Sequence, residues 1–258
     1  MSKKILITGA SSGFGLGAAI ELARRGHAVV ATAETWPQVR SLRDEAAHAG
    51  VTLEVIKLNL LDDADLARAA TYDPDVLVLN SGIMESGSVV DIPMARVRES
   101  FEVNVFRHIE LAQGIVPKMV ARQCGKVVWV SSMGGIMVIP FIGIYCATKH
   151  AIEAIAGAMR TELAPFGVKV ATINPGLFGT GFNDTGAESH VQWYDAKTAV
   201  VPMPDFSGPL SAQSDPKEMI DAMVDIIPAE DHLYRTMRPF ETIGAAKQWQ
   251  ETEWTQRA

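Results

Sequence analysis

Residues 7–26 read ITGASSGFGLGAAIELARRG, and their order decides the fold. A short apolar run, KILIT at 4–8, stops at glycines 9, 13 and 15; helical spacing of Leu16, Ala19, Ile20 and Ala23 then runs to Gly26. A turn that passes from strand into helix aims backbone N–H groups and the positive end of the helix dipole at whatever sits above it. Glycines let such a turn bend sharply and come close to a pyrophosphate with no Cβ in the way. Ser11 and Ser12 add hydroxyl donors. A strand follows at 27–33, and Glu34 stands about twenty residues past Gly15, where a ribose 2′-hydroxyl is gripped. Together these features predict a dinucleotide site. The Glu34 carboxylate would accept from the free 2′-OH of NAD and repel the 2′-phosphate of NADP, and no Arg or Lys occupies 33–37. NAD is the expected cofactor and NADP the alternative.

Outward from that turn, apolar strand-like runs recur at 52–59, 75–80, 125–132 and 168–175. Their near-continuous hydrophobicity fits parallel strands covered on both faces. Helical patterns lie between them at 37–49, 62–71, 94 to about 123, and 145–166. This alternation predicts an α/β fold with a doubly wound parallel sheet. Residues 176–216 break the pattern; rich in Gly, Pro, Ser and Asp with scattered aromatics, they read as a long structureless lid over a site. A helix at 216–227, a last strand at 231–237 and a helical tail from about 240 follow. With no repeat or linker in view, residues 1–258 are read as a single domain carrying a substrate loop at about 176–216.

The chain has 258 residues, 48% of them hydrophobic, and a formal net charge of −7. No basic cluster exists to neutralise phosphates, which argues against a nucleic-acid partner. The apolar start is too short for a signal peptide, and no apolar run reaches about 18 residues. Cys124 and Cys146 have no CxxC spacing and read as free, buried or half-buried thiols of a reducing compartment. The expectation is a cytoplasmic protein with no membrane span.

The densest chemistry falls at 131–149, SSMGGIMVIPFIGIYCATK. Tyr145 and Lys149, four apart, share a helix face. A free phenol titrates near 10, and a neighbouring ammonium would draw it toward the working range. Ser132 ends the preceding strand, where α/β sheets place ligands.

The ordered set TGASSGFG (8–15), LNSG (79–82), VNV around Asn104, Ser132, YCATK (145–149) and NPGLFGT (174–180) resembles the short-chain dehydrogenase/reductase family, in its compact single-domain branch. That resemblance implies a Rossmann-like sheet of about seven strands with helices on both faces, and reversible hydride transfer between a nicotinamide and a secondary alcohol or ketone. By it, Tyr145 is the general acid/base, Lys149 lowers its pKa and binds the nicotinamide ribose, Ser132 steadies the substrate oxygen, and Asn104 holds a water of the proton relay. Cofactor contacts would come from Gly9, Ser11, Ser12, Gly13, Phe14, Gly15, Glu34, Asn59, Leu60, Asn80, Ser81, Gly82, Tyr145, Lys149, Pro175, Gly176 and Thr180. The chain departs from the family at Leu79 and Ser81, at Asn59 (an acid in many members, though its amide carbonyl still accepts from adenine) and in its tail.

No His/Cys/Asp cluster has metal-ligand spacing, and VSSMGG is not the GxSxG of a serine hydrolase. His150 reads as a surface or interface residue. Met133, Ile136, Met137, Phe141 and Ile142 are either core or the wall of an apolar pocket, with Trp193 and Tyr194 closing over it. Apolar residues on several faces of 99–120 and 145–164 fit either a deep core or a subunit interface of a homodimer or homotetramer. The rival functions are a catalytically idle nucleotide sensor on the same fold and a longer-chain sugar-nucleotide enzyme, whose glycine spacing differs.

Overall fold

The computed structural model describes residues 1–257. Strands and helices alternate as β1 (Lys4–Ile7), α1 (Gly13–Arg24), β2 (Ala28–Ala33), α2 (Trp36–His48), β3 (Glu54–Lys57), α3 (Asp63–Ala70) and β4 (Val76–Leu79). They continue with α4 (Met94–Phe101), α5 (Arg107–Ala121), β5 (Gly125–Val130), α6 (Gly143–Leu163) and β6 (Val168–Pro175). The chain then forms α7 (Phe182–Glu188), α8 (Ser207–Ser211), α9 (Pro216–Ile226), β7 (Arg235–Arg238) and α10 (Glu241–Glu253).

All seven strands are parallel, in the order β3-β2-β1-β4-β5-β6-β7. Consecutive residues of a strand face opposite sides. Thus Ile5 and Ile7 join Leu22, Val39, Leu42 and Met223 on one face. Leu6 joins Leu66, Leu111, Ile115, Trp129 and Ile152 on the other. Two covered faces explain why the strands read as unbroken apolar runs. Strand order reverses between β1 and β4, which opens a crevice above their C-terminal ends.

Three expectations are corrected. The 94–123 helix is not uniform: residues Glu102–Phe106 form a wide π turn between α4 and α5. Residues 176–216 are not structureless, since they hold α7, α8 and a tight turn at Ser189–Gln192. That segment is closed on itself by Gly179 N–H donating to the Ser214 carbonyl (3.0 Å) and pinned to the body by Val200 and Val201 N–H donating to Asp91 (2.8 and 3.0 Å). The last strand begins four residues later than expected, in register with Thr172 to Pro175. Leu233, inside the expected range but outside the strand, is 76% exposed.

Candidate active site

The glycine-rich turn fits a dinucleotide because its shape leaves no room for side chains. Gly9 takes a φ of +65°, and a Cβ there would lie 2.8 Å from Ser81 Oγ. A Cβ on Gly15 would collide with the Gly9 carbonyl oxygen and come within 2.7 Å of Asn80 Nδ2. Ser12 caps α1 in an extended conformation with no side-chain capping bond, so its hydroxyl and the first-turn N–H groups stay available to an anion. From below, Asn80 Nδ2 donates to the carbonyls of Thr8 (2.9 Å) and Gly9 (3.0 Å). Thr8 Oγ1 accepts from the N–H groups of Asn80 (2.8 Å) and Ser81 (3.0 Å). We expect Gly15→Ala to destabilise the fold by about 1–3 kcal/mol through overpacking and to weaken NADH binding, read by thermal unfolding and NADH fluorescence titration. An unshifted melting temperature would contradict the tight contact.

Glu34 stands exposed at the end of β2. Its N–H donates to Gln38 Oε1 (3.0 Å), part of the capping box that Thr35 and Gln38 build at the start of α2. Beyond β3, Asn59 Oδ1 accepts from Leu61 N–H (2.9 Å), so the amide carbonyl expected to meet adenine already has a partner. Leu60 and Phe14 point their side chains into packing: Leu60 joins the core beside α3, and Phe14 meets Phe178 edge-on at 5.4 Å. Across the crevice, Thr180 approaches Gly13, where a Cβ would lie 3.3 Å from Thr180 Cβ. Gly176 N–H donates to the Arg238 carbonyl (2.7 Å), fixing the Pro175–Gly176 turn to β7.

At the ends of β4 and β5 the proposed reacting groups meet. Ser132 Oγ accepts from Gly134 N–H (3.0 Å), and its carbonyl accepts from Asn174 Nδ2 (3.0 Å). Tyr145 and Lys149 lie one turn apart on α6, 7% and 4% exposed. Lys149 Nζ donates to the Val130 carbonyl at 2.9 Å and sits 5.6 Å from the Tyr145 ring centre. Burial lowers the Lys149 pKa to about 8, opposed by the Glu153 carboxylate. Burial raises the Tyr145 pKa, with the adjoining Ser132 hydroxyl opposing the rise. Removal of water from the phenolate is thus the largest influence on Tyr145 here, and the Lys149 ammonium is turned toward the Val130 carbonyl.

A family model for short chain dehydrogenase matches residues 3–190. The chain belongs to that family. It is 36% identical over 193 residues to the uncharacterized oxidoreductase YusZ of Bacillus subtilis strain 168, covering 72% of this chain and 69% of that one. Its fold matches a short-chain dehydrogenase of Streptomyces avermitilis with a TM-score of 0.81 at 26% identity, over 98% and 94% of the two chains. It also matches a short-chain dehydrogenase of Sphingobium yanoikuyae in complex with NADPH, with a TM-score of 0.74 at 25% identity, over 99% and 96%.

In this member of the family Asn104 is fully buried inside the π turn. Its side chain exchanges two 2.8 Å hydrogen bonds with the backbone of Ile83 and donates to Thr148 Oγ1 (3.1 Å). Its own carbonyl accepts from His108 Nδ1 (3.1 Å). Asn104 thus anchors the segment after Gly82, whose Cα direction faces Lys149 Nζ: a Cβ there would lie 3.7 Å from the ammonium. Wide turns of this kind recur at functional sites because they break the regular ladder and free backbone groups.

The sequence reading missed four contributors. Thr8 and Thr148 lie inside quoted motifs, yet nothing in their spacing distinguishes a bracing hydroxyl. Phe182, rather than Trp193 or Tyr194, meets the Tyr145 ring at 5.9 Å. Glu153 accepts from Asn174 Nδ2 (2.5 Å) and Arg235 Nη2 (2.7 Å), tying α6 to β6 and β7 behind Ser132. His150 is exposed, as expected, and its ring Nδ1 donates to the Cys146 carbonyl (2.9 Å). Cys146 is buried but Cys124 is exposed, against the expectation for that thiol.

Proposed function

We propose that this chain is an NAD(H)-dependent oxidoreductase that interconverts a small to medium, apolar secondary alcohol and its ketone. The observation that carries the reading is the convergence of Ser132, Tyr145 and Lys149 beside Gly82, at the strand ends that also hold the glycine-rich turn. Nicotinamide dinucleotide, when bound, supplies the hydride acceptor or donor and, oxidised, a positive charge over the cleft. Gly9 through Gly15 would hold its pyrophosphate, Glu34 its adenosine ribose, and Pro175, Gly176 and Thr180 its far end.

The chain's own groups handle the proton. In the oxidative direction Tyr145 Oη takes the hydroxyl proton as the carbinol hydride departs; in the reductive direction it returns that proton to the carbonyl oxygen. Ser132 Oγ holds the same oxygen. Lys149 stabilises the phenolate, countering the burial that keeps the phenol neutral at rest. Phe182 and the apolar residues around Ile136 exclude water from the reacting carbon. In this reading residues 1–258 act as one domain with 176–216 as its substrate loop, in the cytoplasm. Phe106, 52% exposed at the end of the π turn, supports assembly into a homodimer or homotetramer.

A panel of secondary alcohols and ketones assayed with NAD(H) and NADP(H) tests the proposal; tight NADH binding with no turnover of any carbonyl would favour an idle sensor instead. The NADPH complex of the Sphingobium protein favours NADP(H) as the second cofactor reading. Glu34 decides between them. Reversing an exposed charge that faces the 2′ position, Glu34→Arg, should move the NADP-to-NAD ratio of kcat/KM upward on the order of 10- to 100-fold. A wild type that already prefers NADPH would overturn the assignment of NAD.

A further inference from the structure

We infer that Glu85 selects the far end of the substrate, accepting a hydrogen-bond-donating group, best a cationic one, and turning away carboxylates. The inference rests on the oxidoreductase reading above and names the substrate class for that same site.

Glu85 lies between β4 and α4 and is 6% exposed. Its Oε1 accepts from Trp193 Nε1 at 2.8 Å, and among the described residues it makes no ion pair. A carboxylate is an acceptor with room for about four hydrogen bonds, so one indole N–H leaves most of that capacity open. A buried anion without a cation is costly, and the fold does not require one here: a glutamine or an alcohol would serve Trp193 equally well. The proposed mechanism does not use the group.

Three segments place Glu85 under the same roof as Tyr145. Its own segment starts at Gly82, which faces the Lys149 ammonium, and Met84 packs directly on Gly186 of α7. α7 begins at Phe182, whose ring meets that of Tyr145. Trp193 lies over Gly87, where a Cβ would come within 2.5 Å of the indole. Gly87 N–H in turn donates to the Phe141 carbonyl (2.7 Å), and Phe141 holds a φ of +65° on the segment that leads into α6. That backbone region is strained for a phenylalanine, and such strain gathers at functional sites. Met84, Ile92, Phe141 and Trp193 supply apolar surroundings, and the neighbouring Ser86 turns to Ser189 and His190 Nδ1. A substrate that lays its reacting oxygen on Ser132 and Tyr145 extends its other end along this roof, past a single negative charge. Ammonium or hydroxyl groups satisfy that charge, whereas a carboxylate meets a like charge in a site poor in water.

The test uses four ketones of one carbon skeleton that end in methyl, hydroxyl, ammonium or carboxylate. Their kcat/KM is measured with NADH, and their Kd is measured by calorimetry on the protein loaded with NAD⁺, a pair that cannot react. Wild type should prefer the ammonium ketone over the carboxylate ketone on the order of 100-fold. Glu85→Gln, which keeps an acceptor for Trp193, should shrink that ratio by at least about tenfold, and Glu85→Lys should reverse it. A wild type that binds the carboxylate ketone as tightly as the ammonium ketone overturns the inference without any variant. So does a Glu85→Gln protein that lowers all four ketones equally, which would make Glu85 only a support for Trp193. If calorimetry gives the expected ratios while no ketone is reduced, the selection by Glu85 stands and the oxidoreductase reading falls; turnover with unchanged ratios gives the opposite outcome.

Discussion

Tyr145→Phe loses turnover by about 10²–10⁴-fold, the span that general acid–base catalysis supplies, while NADH binding persists. The ring that packs at 5.9 Å from Phe182 is kept, and only the hydroxyl beside Ser132 is removed. The glycine-rich turn, Glu34 and Thr180 do not touch that hydroxyl, so the cofactor's grip should not change. Steady-state rates and an NADH fluorescence titration on the same preparation check both halves. Activity retained at a substantial fraction of wild type would remove Tyr145 from the proton step and, with it, the proposed chemistry.

Lys149→Met should also lose turnover, by about 10²-fold or more, yet melt at a higher temperature at pH 7. The ammonium is buried against the Val130 carbonyl, and its pKa falls from 10.5 to about 8 because burial disfavours the charge. With the folded-state pKa below the unfolded one, the unfolded chain binds more protons between pH 8 and 10.5, so wild-type stability rises with pH across that window. Below pH 8 the whole penalty stands, on the order of 3 kcal/mol. Methionine keeps the stem and drops the charge, at the loss of one hydrogen bond worth about 1 kcal/mol. Variant and wild type should therefore differ most at pH 7 and converge toward pH 10. Thermal unfolding at those two pH values is decisive: a variant less stable than wild type at pH 7 would mean that the ammonium supports the fold instead of burdening it.

The parts that could be read from the sequence were those that repeat a local rule. Ile5, Leu6 and Ile7 sit on alternating faces of a sheet covered on both sides, so an unbroken apolar run was enough to mark a buried parallel strand. Glycines 9, 13 and 15, followed by a helical pattern, marked the turn, and the Tyr145–Lys149 spacing marked a shared helix face. What escaped depended on which distant residue arrives where. The π turn at Asn104 inserts no sequence signal into a helical pattern; it exists because the Asn104 side chain is captured by Ile83. Phe182 and Trp193 are equally aromatic in a polar stretch, and only the path of α7 gives the first to Tyr145 and the second to Glu85. The electrostatics of the pair escape for the same reason. Spacing sets the neighbour, but the depth of burial, which no four-residue interval encodes, sets the sign of the shift.

The brace beneath the glycine-rich turn links cofactor competence to the order in which the chain assembles. A nascent fragment ending after α3 would already contain every residue of the ITGASSGFG signature and β2, one of the two strands that flank β1. It would still lack Asn80 and Ser81, and so could not hold Thr8 and Gly9 in place. Such a fragment would display the fingerprint without the brace that gives it shape. Translation must deliver the fourth strand before the first turn acquires its purpose.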